Sequence, residues 1–138
     1  MSERPRSRTV AIIVTAAAAL GALLAGCTSS APHTGSTTAA AQDGVQRVTI
    51  KAGDDYRFHP STITIHPGKV RIVLVNDGKG APHNWQLPNL PVGDWVPLTV
   101  AGQSAQVTFT APAPGTYQFV CSIHLRQGQT GELIVLPN

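Results

Sequence analysis

Hydrophobic and polar positions divide the 138-residue chain into three stretches with different patterning. Val10–Leu24 is a 15-residue apolar run made largely of Ala, Val, Ile and Leu. Thr28–Gly44 is Ser, Thr, Ala, Gly and Pro with almost no large apolar residue. From Val45 onward, short segments alternate apolar and polar residues, the period of a strand with one buried face. Arg47–Ala52 carries Val48 and Ile50, and Ser61–His66 carries Ile63 and Ile65 before the turn pair Pro67-Gly68. Val70–Asn76 is nearly all apolar and reads as a strand buried on both sides. His83–Leu87, Gln103–Thr110, Thr116–Cys121 and Gly131–Leu136 complete the set. Leu87–Thr99 holds Pro88, Pro91 and Pro97 and is expected to be a loop around Trp95. Short strands separated by Gly, Pro and Asn turns predict an all-β sandwich of about seven to eight strands. No long helical period with caps occurs after residue 44.

Charge narrows the picture. The formal net charge is +3. Arg4, Arg6 and Arg8, against Glu3, lie in the first eight residues, so beyond residue 26 seven basic residues face six acidic ones. The remaining excess is too small for a basic patch, and nucleic acid is not an expected partner. Arg4–Arg8 followed by Val10–Leu24 has instead the layout of an export signal, too short for a comfortable membrane span of about 20 residues. Leu24-Ala25-Gly26-Cys27 resembles the lipobox of bacterial lipoproteins. The resemblance implies removal of residues 1–26 as a signal peptide and a diacylglycerol on Cys27. The protein would then be held on the extracytoplasmic face of a bacterial cell membrane by its acyl chains. An ordinary signal peptide, or an uncleaved anchor, is the plainer reading of the same run. Residues 27–44 are then a flexible tether, and residues 45–138 the folded domain.

With Cys27 assigned to lipid, Cys121 is the only thiol of the domain, so neither a disulfide nor a Cys-x-x-Cys redox pair is available. It could be an inert buried thiol, a nucleophile or a metal ligand. His124 follows three residues later, and His83 stands upstream in Ala81-Pro82-His83-Asn84-Trp85. One thiolate and two imidazoles form the ligand set of a trigonal copper site, and zinc accepts the same donors. No motif for an oxyanion site accompanies Cys121, which weighs against a catalytic thiol. His33, His59 and His66 read as solvated, and Trp85 and Trp95 as core residues by default.

Beyond this point the domain resembles a known family. Phe58-x-Pro60, Ile63-x-Ile65-x-x-Gly68, Val70–Asn76-x-Gly78, His83-Asn84, Pro114-Gly115-x-Tyr117-x-Phe119-x-Cys121-x-x-His124 and Gly131-x-Leu133-x-Val135 are similar to the cupredoxins, the blue-copper group that includes plastocyanin, azurin and amicyanin. The resemblance implies a Greek-key β-sandwich binding one copper ion (Cu2+/Cu+) near one end, and a one-electron carrier. It implies His83, Cys121 and His124 as metal ligands, with Asn84 tying the two ligand loops together. Plastocyanin-like loops carry an axial Met five residues after the second His. Here that position is Gln129, and Met1 is the only Met of the chain. Gln is an alternative axial ligand, a harder oxygen donor that favours Cu(II).

The resemblance also implies transient redox partners docking near His124, where Pro82, Leu90, Pro91 and Leu125 could form an apolar patch. The competing expectation is a copper-delivery protein supplying a cuproenzyme, which would want an exposed site rich in Met or His.

Overall fold

In a computed structural model, residues 33–90 and 95–138 are described. Cys27, the whole of the expected signal peptide, and Pro91 of the expected docking patch lie outside them. The alternation read from the sequence becomes strand wherever the buried set has a sheet to face. β3 (Val45–Ala52) buries Gln46, Val48, Ile50 and Ala52 and exposes Arg47, Thr49 and Lys51. β5 (Thr62–Ile65) buries Ile63 and Ile65. β6 (Lys69–Asn76) pairs with β3 along its full length but does not bury both faces as expected. Val70, Ile72, Leu74 and Asn76 are buried, whereas Arg71, Val73 and Val75 are only half-buried. One face meets the opposite sheet and the other carries no second layer.

The remaining strands are β1 (Ser36–Thr38), β2 (Ala40–Gln42), β4 (Phe58–His59), β7 (His83–Trp85), β8 (Val96–Thr99), β9 (Ser104–Thr110), β10 (Gly115–Val120) and β11 (Thr130–Val135). One sheet runs β1-β5-β11-β10 and the other β2-β3-β6-β9, with β4 added beside β3 and β7-β8 forming a separate ribbon. The architecture is an all-β, Greek-key sandwich. It has eleven strands among the described residues rather than seven to eight. Three of the extra strands correct particular expectations. The stretch up to Gly44 is not free tether throughout: β1 pairs in parallel with β5, and β2 pairs antiparallel with β3. Leu87–Thr99 is not all loop, because β8 pairs with β7 across a register shift. Pro97 fits there because this ribbon is an edge, where a missing donor costs little.

Phe58, Trp85 and Phe119 fill the space between the sheets. Phe119 meets Phe58 edge-on at 5.3 Å between centroids and Trp85 at 5.7 Å, while Trp85 stacks on Phe109 at 5.8 Å. Each such pair adds about 0.5–1.5 kcal/mol to the area it buries. Trp95, expected in the core, is instead 54% exposed. Gly131 faces Phe119 across the β10–β11 pair, and the Phe119 ring fills the space a side chain there would need.

Two parallel pairings determine what lies at the end of the sandwich from which β11 starts. β5 and β11 run in parallel from Thr62 opposite Glu132, and β1 runs in parallel with β5 from Ser36 opposite Thr62. All three strands therefore begin at one end. Thr34, just ahead of β1, donates its N–H to Ser61 Oγ and its hydroxyl to the carbonyl of Phe58.

Candidate metal centre

Three elements deliver the site. β7 carries His83 and Asn84, both buried. The lead into β7 is held by Asn76 at the end of β6. Its fully buried amide donates to the carbonyls of Ala81 and Thr99 at 2.8 and 2.9 Å and accepts from the Gly78 N–H at 3.0 Å. Three satisfied hydrogen bonds repay the cost of burying a side-chain amide. Cys121 comes directly after β10, and the loop back to β11 is wound tightly on itself. The His124 N–H donates to the Cys121 carbonyl, the Gln129 N–H to the His124 carbonyl, and the Cys121 N–H to the Gln129 carbonyl. Between them lies a 3-10 turn, Leu125–Gln127, closed by Gly128 in the left-handed conformation, φ +79°. That conformation suits glycine.

The loop winding brings the side chains together. His83, Cys121 and His124 are all buried, and their ligand atoms lie within 4.8 Å of one another. Cys121 Sγ is 3.5 Å from His124 Nδ1. Gln129 is also fully buried, and its Oε1 stands 2.9 Å from Nδ1 of His83 and 3.1 Å from Nδ1 of His124. A thiol sulfur, two ring nitrogens and an amide oxygen thus converge on one small volume. The four positions expected from the sequence are brought together. Cys121 is a free cysteine with no partner thiol among the described residues.

Burial pushes the His124 imidazole below its ordinary pKa, the neighbouring His83 pushes in the same direction, and the contact with Gln129 opposes both. The neutral ring, the form that binds a metal, is thereby favoured. Nε2 of His83 is buried and finds no hydrogen-bond partner among the described residues, so the Nδ1 edge facing Gln129 carries the polar contacts of that ring. The donor set fits copper: a soft thiolate and imidazoles suit both of its oxidation states. When bound, copper supplies a one-electron couple between Cu(II) and Cu(I). The protein's part would be to hold these buried donors close together.

Two loops are tied together behind the site. Asn84 donates from Nδ2 to Ser122 Oγ at 2.9 Å and accepts the Ser122 N–H on Oδ1 at 2.8 Å. In front of it lies a feature that no sequence pattern announced. The turn between β3 and β4 places Tyr56 against His124, with ring centroids 4.7 Å apart, and against His83 at 6.3 Å. At the surface beside His124, Ile123 and Leu125 are 46% and 52% exposed. Leu90 does not join them as expected. It packs against the core and lines a small groove with Leu87, Asn89 and residues Thr116, Tyr117 and Gln118 of β10. His33 and His66 are exposed, whereas His59 is engaged, its Nε2 lying 2.6 Å from Asp55 Oδ2. No described helix is long and apolar enough to cross a membrane.

Comparison with known proteins places the chain in a family. Auracyanin-B of Chloroflexus aurantiacus is 29% identical over 145 residues, covering 82% of this chain; the chain spans 62% of that protein's length. A crystal structure of auracyanin B superposes with a TM-score of 0.57 and 26% identity, over 72% of this chain and 94% of that one. The metal-binding domain of a Cu(I)-exporting P-type ATPase from Streptococcus pneumoniae superposes with a TM-score of 0.60, over 77% of this chain and all of that one, and at 18% identity it speaks for the fold alone. The cupredoxin-like domain family matches residues 16–135. The chain belongs to that cupredoxin-like family, and His83, Cys121 and His124 are positioned for its single copper ion.

Proposed function

We propose that the protein is a type 1 copper electron carrier, with His83, Cys121 and His124 as ligands and Gln129 as the fourth, axial donor. One observation carries the reading: the buried Gln129 oxygen lies within 3.1 Å of Nδ1 of both histidines, so a fourth donor stands beside the two imidazoles and the thiol. A carrier needs such a preformed, water-excluding site, because rearrangement of ligands during a change of charge slows exchange. A delivery protein needs the reverse, an exposed set that opens to hand over the ion. The fully buried thiol of Cys121 and the absence of any Met beyond Met1 favour the carrier. Likeness to the auracyanins supports the same reading.

The Leu24-Ala25-Gly26-Cys27 sequence supports lipidation of Cys27 and a place on the extracytoplasmic face of a bacterial membrane. Transient redox partners dock over His124, where Ile123 and Leu125 offer exposed apolar surface. Small contact areas suit such encounters.

The test is titration of the full-length protein in detergent with Cu(II), recording visible and EPR spectra. One equivalent should give an intense blue or green thiolate-to-copper band and a reversible one-electron couple. A colourless product that takes up only Cu(I), or prefers zinc, would refute the carrier reading in favour of delivery or a zinc site.

A further inference from the structure

Tyr56 and Arg57 belong to no ligand motif, yet both touch the metal centre. Tyr56 has φ +54°, a left-handed conformation that a bulky aromatic residue rarely adopts. It is held there by its own N–H bonded to the Gly53 carbonyl at 3.1 Å. Strain of this kind persists where the surroundings demand it, and it gathers at functional sites. What it achieves here is placement: the half-buried ring is carried onto the imidazole of His124, within contact of His83 as well.

Arg57 reaches the other side of the ligand loop. Its Nη1 donates to the Gln127 carbonyl at 2.7 Å and to the Tyr56 carbonyl at 2.8 Å, so one guanidinium joins the turn to the loop. Its own carbonyl accepts from Gln129 Nε2 at 3.4 Å. That contact is long, but its polarity matters. An amide turned end for end would set two oxygens against each other there and present NH2 to the histidines. With Nε2 engaged by Arg57, Oε1 is left facing Nδ1 of both rings.

We propose that Tyr56 and Arg57 are positioning residues of the metal centre, the ring fixing the imidazole of His124 and the Arg57 guanidinium fixing the ligand loop at Gln127, which in turn holds the Arg57 carbonyl against the amide of Gln129. The Arg57 half rests on Gln129 being the axial ligand. The Tyr56 half does not, since it acts on a histidine.

The test uses the full-length protein and the variants Tyr56→Gly, Tyr56→Phe, Arg57→Ala, Arg57→Lys and Gln129→Met. Glycine at 56 accepts the left-handed backbone, so its effects report loss of the ring and not of the turn. Three readouts are taken: the Cu(II) visible and EPR spectra, the rate of copper loss to a chelator, and amide hydrogen exchange of residues 124–130 in the metal-free protein. Tyr56→Gly and Arg57→Ala should each shift or broaden the Cu(II) spectra, speed copper loss by about fivefold or more, as expected for one or two lost contacts, and raise exchange in the apo loop. Tyr56→Phe should restore the wild-type spectra, and Arg57→Lys, which keeps a charged N–H donor but not the length and planar head of the guanidinium, should fall between. Wild-type spectra and exchange in Tyr56→Gly and Arg57→Ala, alongside a changed Gln129→Met, would overturn the proposal and leave axial Gln129 standing. An unchanged Gln129→Met would overturn axial Gln129 and the Arg57 half with it, and the Tyr56→Gly spectra would then decide the other half. Lower thermal stability with unaltered spectra would mark both residues as structural only and also overturn it.

Discussion

Asn84 and Ser122 hold each other by two hydrogen bonds, one in each direction, and through them the strand carrying His83 is joined to the loop carrying Cys121 and His124. The ligands come from segments 38 residues apart in sequence, and besides this tie only an isolated backbone bridge between Gln86 and Val120 joins them.

Replacing Asn84 by Ala should therefore weaken both fold and site. Two part-buried side-chain bonds are worth about 1–3 kcal/mol together. In a domain of this size that is a fall in Tm of roughly 4–8 °C per kcal/mol. Asn84→Asp, which keeps the acceptor for the Ser122 N–H, should lose less. Thermal unfolding of apo and copper-loaded forms measures it; equal Tm values for wild type and Asn84→Ala would deny the tie any weight.

Gln129→Met tests the axial oxygen. A thioether is softer than an amide oxygen and favours Cu(I), so the reduction potential should rise. Each tenfold change in the relative affinity for the two oxidation states is about 59 mV for one electron, and the rise should be at least that. Voltammetry of the two proteins gives the answer, and a potential that stays put or falls would remove Gln129 from the coordination sphere.

Leu125→Glu places a charge on exposed apolar surface beside His124 while leaving the buried donors alone. Visible and EPR spectra should match the wild type. Electron self-exchange should slow about tenfold at low ionic strength, through repulsion between two like charges, and the deficit should shrink as salt is added. Equal self-exchange rates in low salt would show that the encounter uses another face.

Gly131→Ala should be among the most damaging single changes away from the ligands. An added Cβ would overlap the Phe119 ring and the Ser61 carbonyl, and neither gives way easily, because Phe119 is wedged between Phe58 and Trp85. Overpacking of this kind costs about 1–3 kcal/mol or more. Denaturant unfolding should show a lower midpoint at unchanged slope. A midpoint equal to that of the wild type would mean the strand pair can shift apart freely.

The parts of the molecule legible in the sequence are those written by local pattern. Val48, Ile50, Ile63 and Ile65 announce their strands because alternation is a property of neighbouring residues. Cys121, His124 and His83 stood out as one thiol and two imidazoles, whereas Gln129 was legible only through the resemblance to the cupredoxin ligand loop; the structure brings all four together. What escaped depends on contacts across the fold. β1 and β2 are edge strands of Ser, Thr, Ala and Gln, recruited by backbone bonding with no large apolar residue to signal them. β8 was hidden by Pro97 and lies on an edge as well. Val70–Asn76 looked doubly buried because hydrophobicity alone does not tell how many layers a sheet will have. Tyr56 meets His124 only because a left-handed turn between β3 and β4 aims it there, and nothing in its immediate sequence marks that direction.

The parallel entry of β1 beside β5 has a consequence for geography. Thr34 bonds to Phe58, whose neighbour Arg57 receives the amide of Gln129, so the polypeptide joins the sandwich on the same side as the metal donors. Cys27 and Thr34 are separated by seven residue steps, which no chain can extend beyond about 25 Å. With acyl chains on Cys27, the redox end would be moored close above the lipid headgroups. Its natural counterparts would then be proteins met by sideways drift within the membrane plane, not ones waiting far out in solution.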